Sequence, residues 1–121
     1  MNNPQDLADR YAAIWNESDP ALRRKGIAEL WDPDGAHYVR TLEARGFDAL
    51  EKRITGAYEK NVRGAGHRFR AMPNAQTLRN AVTFNWEMVS ADGRKVLAVG
   101  LEFLVLDERG SIVADYQFMV A

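Results

Sequence analysis

The chain has 121 residues, 46% hydrophobic and 27% charged, and its 16 basic side chains nearly cancel its 17 acidic ones to leave a net charge of -1. This is enough apolar material for one domain around one core, and the charge balance gives neither nucleic acid phosphates nor an anionic membrane surface a basic patch to meet. There is no cysteine, which excludes disulfides, thiolate metal sites and cysteine nucleophiles, and with only His37 and His67 a histidine-rich metal site is excluded as well.

The N-terminus carries no apolar stretch of signal-peptide length and no later segment reaches the length of a membrane span, so a cytoplasmic protein is expected. No internal repeat, low-complexity tract or Pro/Ser-rich linker divides the chain. Asn3 is placed to cap a first helix with Pro4 in its first turn, and Leu7, Tyr11, Ile14 and Trp15 recur on one face. Ser18-Asp19-Pro20 restarts the chain as a second helix with Leu22, Ile27, Leu30 and Trp31 as its apolar stripe, and Asp32-Pro33-Asp34-Gly35 breaks it. A short strand over Ala36 to Val39 precedes a third helix from about Phe47 to Val62, which Gly64-Ala65-Gly66 ends.

From His67 the pattern changes to strands. His67 to Ala71, Ala81 to Val89, Val96 to Leu106 and Ile112 to Val120 alternate or run apolar, with Met72-Pro73-Asn74 as a turn. Ala91-Asp92-Gly93 and Glu108-Arg109-Gly110 place glycine where a hairpin loop needs positive φ, so the last three strands read as an antiparallel meander. Helices first and a curved sheet last make an α+β plan with the helices packed on one face.

Glu102 is the only charged group in the run from Val96 to Leu106. A carboxylate there must be paired, solvated or lining a cavity. Buried alone it holds its proton and can donate a hydrogen bond to a ligand oxygen. Its neighbours depend on loop geometry. Bulged turns place Ser90 opposite Arg94 and Asp107 opposite Ser111, and Glu102 then shares a face with Val82, Phe84, Trp86, Tyr116 and Phe118. Two-residue turns place it with Thr83, Asn85, Glu87, Asp115 and Gln117 instead. Bulged turns are preferred, because an x-Asp-Gly loop suits them. Ala98 and Gly100 are small and would leave room for a ligand.

The order of elements, Tyr11 to Trp15 on the first helix, the Trp31-Asp32-Pro33-Asp34-Gly35 corner, the segment Arg45-Gly46-Phe47-Asp48-Ala49-Leu50 and the two glycine-closed hairpins together resemble the nuclear transport factor 2-like superfamily, and within it SnoaL-like and ketosteroid-isomerase-like proteins. The resemblance spans nearly the whole chain and implies a single cone-shaped α+β barrel, with three N-terminal helices on a curved, mostly antiparallel sheet enclosing a pocket. It implies that Glu102 takes the role of the protonated acid in an isomerase oxyanion hole, with Tyr11 near the position of its tyrosine partner. The isomerases' aspartate base falls on Val39 or Arg40, according to whether Asp34 or the Tyr38-Val39 pair anchors the comparison. The catalytic aspartate of related cyclases and hydrolases falls on Gln117, with Asp115 two residues earlier on the same face.

The candidate proton-transfer groups are therefore Glu102, Asp115 and His37. Candidate ligand-binding residues are Tyr11, Trp15, Tyr38, Arg40, Phe84, Trp86, Gly100 and Gln117. Arg40 could hold an anionic ligand or pair with Glu43, and surface or strand-end positions are expected for His37 and His67. Arg23-Arg24-Lys25 and the group Arg63, Arg68 and Arg70 read as solvated faces. No metal or organic cofactor is implied, because there is no ligand cluster and no phosphate-cradling glycine loop. Three functional classes follow: an enzyme acting on a small apolar carbonyl or polyketide-like compound, a non-catalytic pocket for a small hydrophobic molecule, and a dimerisation or assembly domain. The second sheet face, with Leu97, Val99, Leu101, Phe103 and Val105, is also apolar and predicts a homodimer through the sheet.

Overall fold

A computed structural model describes residues 3–120. Helix α1 (Pro4–Asn16) opens on Asn3, whose side-chain oxygen accepts the Gln5 amide at 2.8 Å, and buries Leu7, Tyr11, Ile14 and Trp15 as its spacing predicts. Helix α2 (Pro20–Leu30) is capped by Asp19, which accepts from the amides of Ala21 and Leu22.

The α2 stripe differs from expectation. Leu22 is exposed and Arg23 is buried in its place, beside Ile27 and Leu30. Arg23 can face inward because its guanidinium is satisfied. Nε and Nη2 donate to the Glu17 carbonyl at 3.1 and 2.6 Å, Nη1 donates to Thr55 Oγ1 at 3.0 Å, and the group lies 4.6 Å from the Tyr58 ring centre. It ties the end of α1 to the third helix, so of the three basic residues expected on a solvated face only Arg24, paired with Asp48 and Glu51, and exposed Lys25 lie at the surface.

Trp31 belongs to a strand rather than to α2. Strand β1 (Trp31–Val39) runs straight through the Asp32-Pro33-Asp34-Gly35 corner, which bulges from the sheet between the pairs Trp31/Ile112 and Ala36/Ala114. Glycine is required at 35, where a Cβ would stand 2.5 Å from the Ile112 carbonyl oxygen. Strand β2 (Leu42–Arg45), absent from the sequence reading, folds back antiparallel on β1 around Arg40, which takes φ 52° where a glycine would normally signal the turn. Helix α3 (Phe47–Ala57) is shorter than expected. The Tyr58 amide is shared between the carbonyls of Ile54 and Thr55, and the chain continues as a π-helical segment, Tyr58–Gly64.

Strands β3 (Arg68–Ala71), β4 (Gln76–Leu78), β5 (Ala81–Val89), β6 (Val96–Leu106) and β7 (Ile112–Met119) complete the sheet, in the order β2-β1-β7-β6-β5-β3 with β4 also on β5. Only β1 and β7 are parallel neighbours. Strand β4 was also missed, and Arg79, again a non-glycine at positive φ, makes its turn into β5. Gly93 and Gly110 adopt φ 74° and 85° in the two expected hairpins. The three helices pack on the concave face of this mostly antiparallel sheet in a cone-shaped α+β fold, and Leu7, Trp15, Ile27, Leu50, Ile54 and Leu104 are part of the core between the two layers.

Each hairpin contains one bulge beyond its turn, and the two bulges settle the register. Next to the first loop the Ser90 amide bonds the Lys95 carbonyl. The pairing then slips by one at Leu97, and Glu102 comes to lie opposite Phe84. In the second hairpin Asp107 meets Ser111 as expected, but a slip at Val113 sets Glu102 opposite Gln117 rather than Tyr116. The concave face thus takes Val82, Phe84 and Trp86 from one anticipated arrangement and Asp115 and Gln117 from the other. Tyr116 and Phe118 point outward and are exposed.

Candidate acid-base site

A cavity of about 740 Å³ lies between the concave face of the sheet and helices α1 and α3. Tyr11, Trp15, Trp86, Glu102 and Gln117 contribute to its wall, with Ala49, Arg53 and Gly56 from α3 and Arg40 from the β1–β2 turn.

In this wall and behind it four polar side chains from four elements meet in the core: Tyr11 of α1 and Glu102 of β6 in the wall, His37 of β1 and Asp115 of β7 behind it. None is more than 3% exposed, so their hydrogen bonds must be made to one another. The Tyr11 hydroxyl lies 2.6 Å from Asp115 Oδ2 and 3.1 Å from Glu102 Oε2. His37 Nδ1 lies 2.7 Å from the same Asp115 oxygen, and Trp86 Nε1–H donates to Glu102 Oε1 at 2.8 Å.

The protons can be assigned from this geometry. Carboxyl oxygens of Glu102 and Asp115 approach within 4.8 Å in a dry site, where two like charges are not sustained together. Burial, reinforced by the charge of Asp115, holds Glu102 well above the usual carboxylate range, so it keeps its proton. Burial alone would raise Asp115 too. The electrostatic pull of the His37 ring and the hydrogen bonds that His37 and Tyr11 donate outweigh it and hold Asp115 below its ordinary value. Burial and the neighbouring Asp115 charge push the Tyr11 phenol well above 10, so Tyr11 is also a proton donor. Its single proton goes to ionised Asp115, and its oxygen accepts from Glu102.

Arginine carries no acceptor, so the contact of Arg53 Nε with His37 Nε2 at 3.4 Å makes that nitrogen the acceptor and leaves the ring proton on Nδ1, facing Asp115. The result is a continuous relay from Glu102 through Tyr11 and Asp115 to His37. Its Glu102–Tyr11 end forms part of the cavity wall and its His37 end lies beneath Arg53.

No family model matches this sequence, and no curated protein sequence matches it. Solved structures do match. A proposed isomerase of the SnoaL-like family from Agrobacterium tumefaciens strain C58 superposes over 100% of both chains with a TM-score of 0.89 and 25% identity. The chain has the nuclear transport factor 2-like, SnoaL-like fold. A nuclear transport factor 2-like protein of unknown function from Exiguobacterium sp. 255-15 covers 94% of this chain and 98% of its own at TM-score 0.71 and 18% identity. A proposed polyketide cyclase from Sinorhizobium meliloti covers 93% of each chain at TM-score 0.68 and 10% identity.

On this SnoaL-like scaffold the candidate residues divide into three groups. Tyr11, Trp15, Trp86, Glu102, Gln117 and Arg40 line the cavity, and Arg40 leaves Glu43 to pair with Arg45 at 3.1 Å. His37 and Asp115 stand behind the wall. For His37 this corrects the expectation of a surface or strand-end position, since the pleat of β1 turns it into the core. Tyr38, Phe84 and Gly100 do not line the cavity. The same pleat turns Tyr38 to the outer face, where it stacks on Tyr116 and accepts from Arg45 at 2.8 Å. Phe84 is core, edge-on to Tyr11.

Gly100 does not leave space for a ligand, because the Trp86 indole fills the position its Cβ would take and is thereby held against Glu102. The sequence reading missed Arg53. Its signal was the spacing Ala49, Arg53, Gly56 and Lys60, a helical stripe of small and basic residues that all line the cavity.

Proposed function

We propose that the protein binds a small, mainly apolar carbonyl compound in this cavity and acts on it by proton transfer, as an isomerase, cyclase or hydrolase would, with protonated Glu102 stabilising the developing oxyanion. One observation carries this reading. The acid in the cavity wall is kept neutral by its surroundings and is joined through Tyr11 to ionised Asp115 and its hydrogen-bond partner His37. A carboxylic acid held neutral in a dry site stabilises negative charge on a carbonyl oxygen more strongly as the charge develops. For enolisation, the Glu102 proton passes to the carbonyl oxygen as the substrate loses a C–H proton; His37 Nε2 lies behind the wall beneath Arg53, so this network supplies the acid of the step and not its base. Return of a proton at a different carbon, with the enol proton going back to Glu102, gives the isomer.

The test is turnover of ketones and polyketide-like compounds by wild type and Glu102→Gln. The glutamine keeps the shape and the contacts to Trp86 and Tyr11 but has no acidic proton to give. Loss of about two orders of magnitude in kcat is expected for an oxyanion-stabilising group. An unchanged kcat in the variant removes Glu102 from the chemistry. Saturable binding of the same compounds without any product favours a non-catalytic carrier or sensor built on the same cavity.

A second reading concerns the outer face of the sheet, where Phe103, Tyr116 and Phe118 are 37%, 41% and 54% exposed around the Tyr38 stack. Contiguous aromatic surface of this kind is unusual on a monomer, and we propose a homodimer packed through it. Sedimentation as a monomer at micromolar concentration would overturn the dimer without touching the cavity.

A further inference from the structure

Four basic side chains, Arg40, Lys52, Arg53 and Lys60, line the cavity, and the only rim carboxylate among the described residues, Glu43, is paired with Arg45. Arg53 alone among the four is not exposed. Its guanidinium lies over the Trp15 ring, 5.1 Å from the centroid, with Nε directed at His37. That uses one of its five N–H groups. The four on Nη1 and Nη2 have no hydrogen-bond partner among the described residues, and no carboxylate pairs with Arg53 there. Arg23 is the contrast within the same molecule, a buried guanidinium with all three nitrogens bonded to the chain.

A half-buried guanidinium that lines a cavity with its fork unoccupied by the chain is open to a ligand, and a planar anion is the group that fits the fork with two parallel hydrogen bonds. The other rim cations add a positive field at the entrance, which raises the local concentration of anions. Trp15, Phe69, Trp86 and Met88 supply apolar wall for a ring-sized body.

We propose that the ligand is a carboxylate, seated bidentate on Nη1 and Nη2 of Arg53, with an apolar ring body against Trp15 and Trp86. This rests on the reading of the cavity as a small-molecule site and narrows its substrate class from apolar carbonyl compounds in general to aromatic or alicyclic keto acids. The carboxylate anchors one end of the molecule, which leaves the carbonyl to reach Glu102.

Isothermal titration of 2-naphthoate and its neutral isostere 2-naphthamide, at pH 7, against wild type, Arg53→Gln and Arg53→Lys tests it. Wild type should bind the naphthoate about ten- to hundredfold more tightly than the amide, as charge-assisted hydrogen bonds imply. Arg53→Gln should abolish that preference and leave amide affinity within about twofold, while Arg53→Lys, a point charge without the fork, should restore part of it. Melting temperatures without ligand confirm that each variant is folded, and the lysine variant serves if the glutamine variant is not. Equal affinity of wild type for both probes, or a preference that survives Arg53→Gln, overturns the carboxylate proposal. If the amide binds and the carboxylate gains nothing, the proposal falls while the cavity reading stands; if neither probe binds, both fall.

Discussion

The two faces of strand β6 reverse the usual arrangement of a globular protein. On the concave side Glu102 meets Tyr11, Asp115 and Trp86 in a site nearly closed to water, whereas on the convex side Phe103 and its neighbours Tyr116 and Phe118 reach solvent. Polar groups are held inside at the cost of desolvation, and apolar ones are left outside. The concave side offsets its cost by hydrogen bonding nearly every polar atom, Asp115 Oδ1 being one that lacks a partner. The convex side has no such internal compensation. The comparison teaches that the inner face closes its polar groups with hydrogen bonds of its own, whereas the outer face leaves apolar area uncovered by the described residues.

The largest effect should come from the centre of the relay. Asp115→Ala leaves the Tyr11 hydroxyl and His37 Nδ1–H without their acceptor in the core, and a loss of about 3–5 kcal/mol is expected in urea unfolding, as for other broken buried pairs. A loss below about 1 kcal/mol would mean that the relay is not structurally coupled. Next comes Gly100→Ala, whose methyl group would occupy the place of the Trp86 indole. Overpacking of this kind costs about 1–3 kcal/mol, and fluorescence of the displaced tryptophan should change with it.

The protonation of Glu102 gives a test by pH. Because its folded pKa is raised, the folded chain holds a proton that the unfolded chain releases above about 4.5. Wild-type stability should therefore decline as pH rises from there towards the folded pKa, and Glu102→Gln should flatten that decline. Asp115 acts in the opposite sense. Its depressed pKa contributes stability that is present above about 3.8 and lost as pH falls through the folded value. Parallel pH profiles for wild type and Glu102→Gln would refute the neutral acid. The smallest effect on the fold should be that of Phe103→Asp on the convex face. Its cost to the monomer should be about 0.5 kcal/mol or less, while analytical ultracentrifugation reports the loss of a dimer. An unchanged sedimentation coefficient would separate that face from association.

Much of the fold was legible because its signals are local. Caps at Asn3 and Asp19, the helical spacing of α1 and the glycine turns at Gly93 and Gly110 act within a few residues, and the strands between them fell where alternation placed them. The two missed strands share one cause. Their hairpins turn on Arg40 and Arg79 at positive φ, where composition gives no warning. Arg23 was misread because its acceptors are a backbone carbonyl at Glu17 and a side chain 32 positions away at Thr55. The singular acid of β6 was visible as the one charge in an apolar run, but its partners were not.

By itself, then, the sequence determined the element types, the order of helices before sheet and the anomaly at Glu102, since periodicity, capping and turn chemistry operate over a few residues. Only the tertiary structure decided which groups Glu102 meets. Bulges at Leu97 and Val113 each shift the pairing by one residue, and because side chains alternate with a period of two, a single shift carries Asp115 inward and Tyr116 outward. The same holds for His37 and Arg53, brought together across 16 positions by the packing of α3 over β1, a contact set by burial of Leu50 and Ile54 rather than by either polar residue.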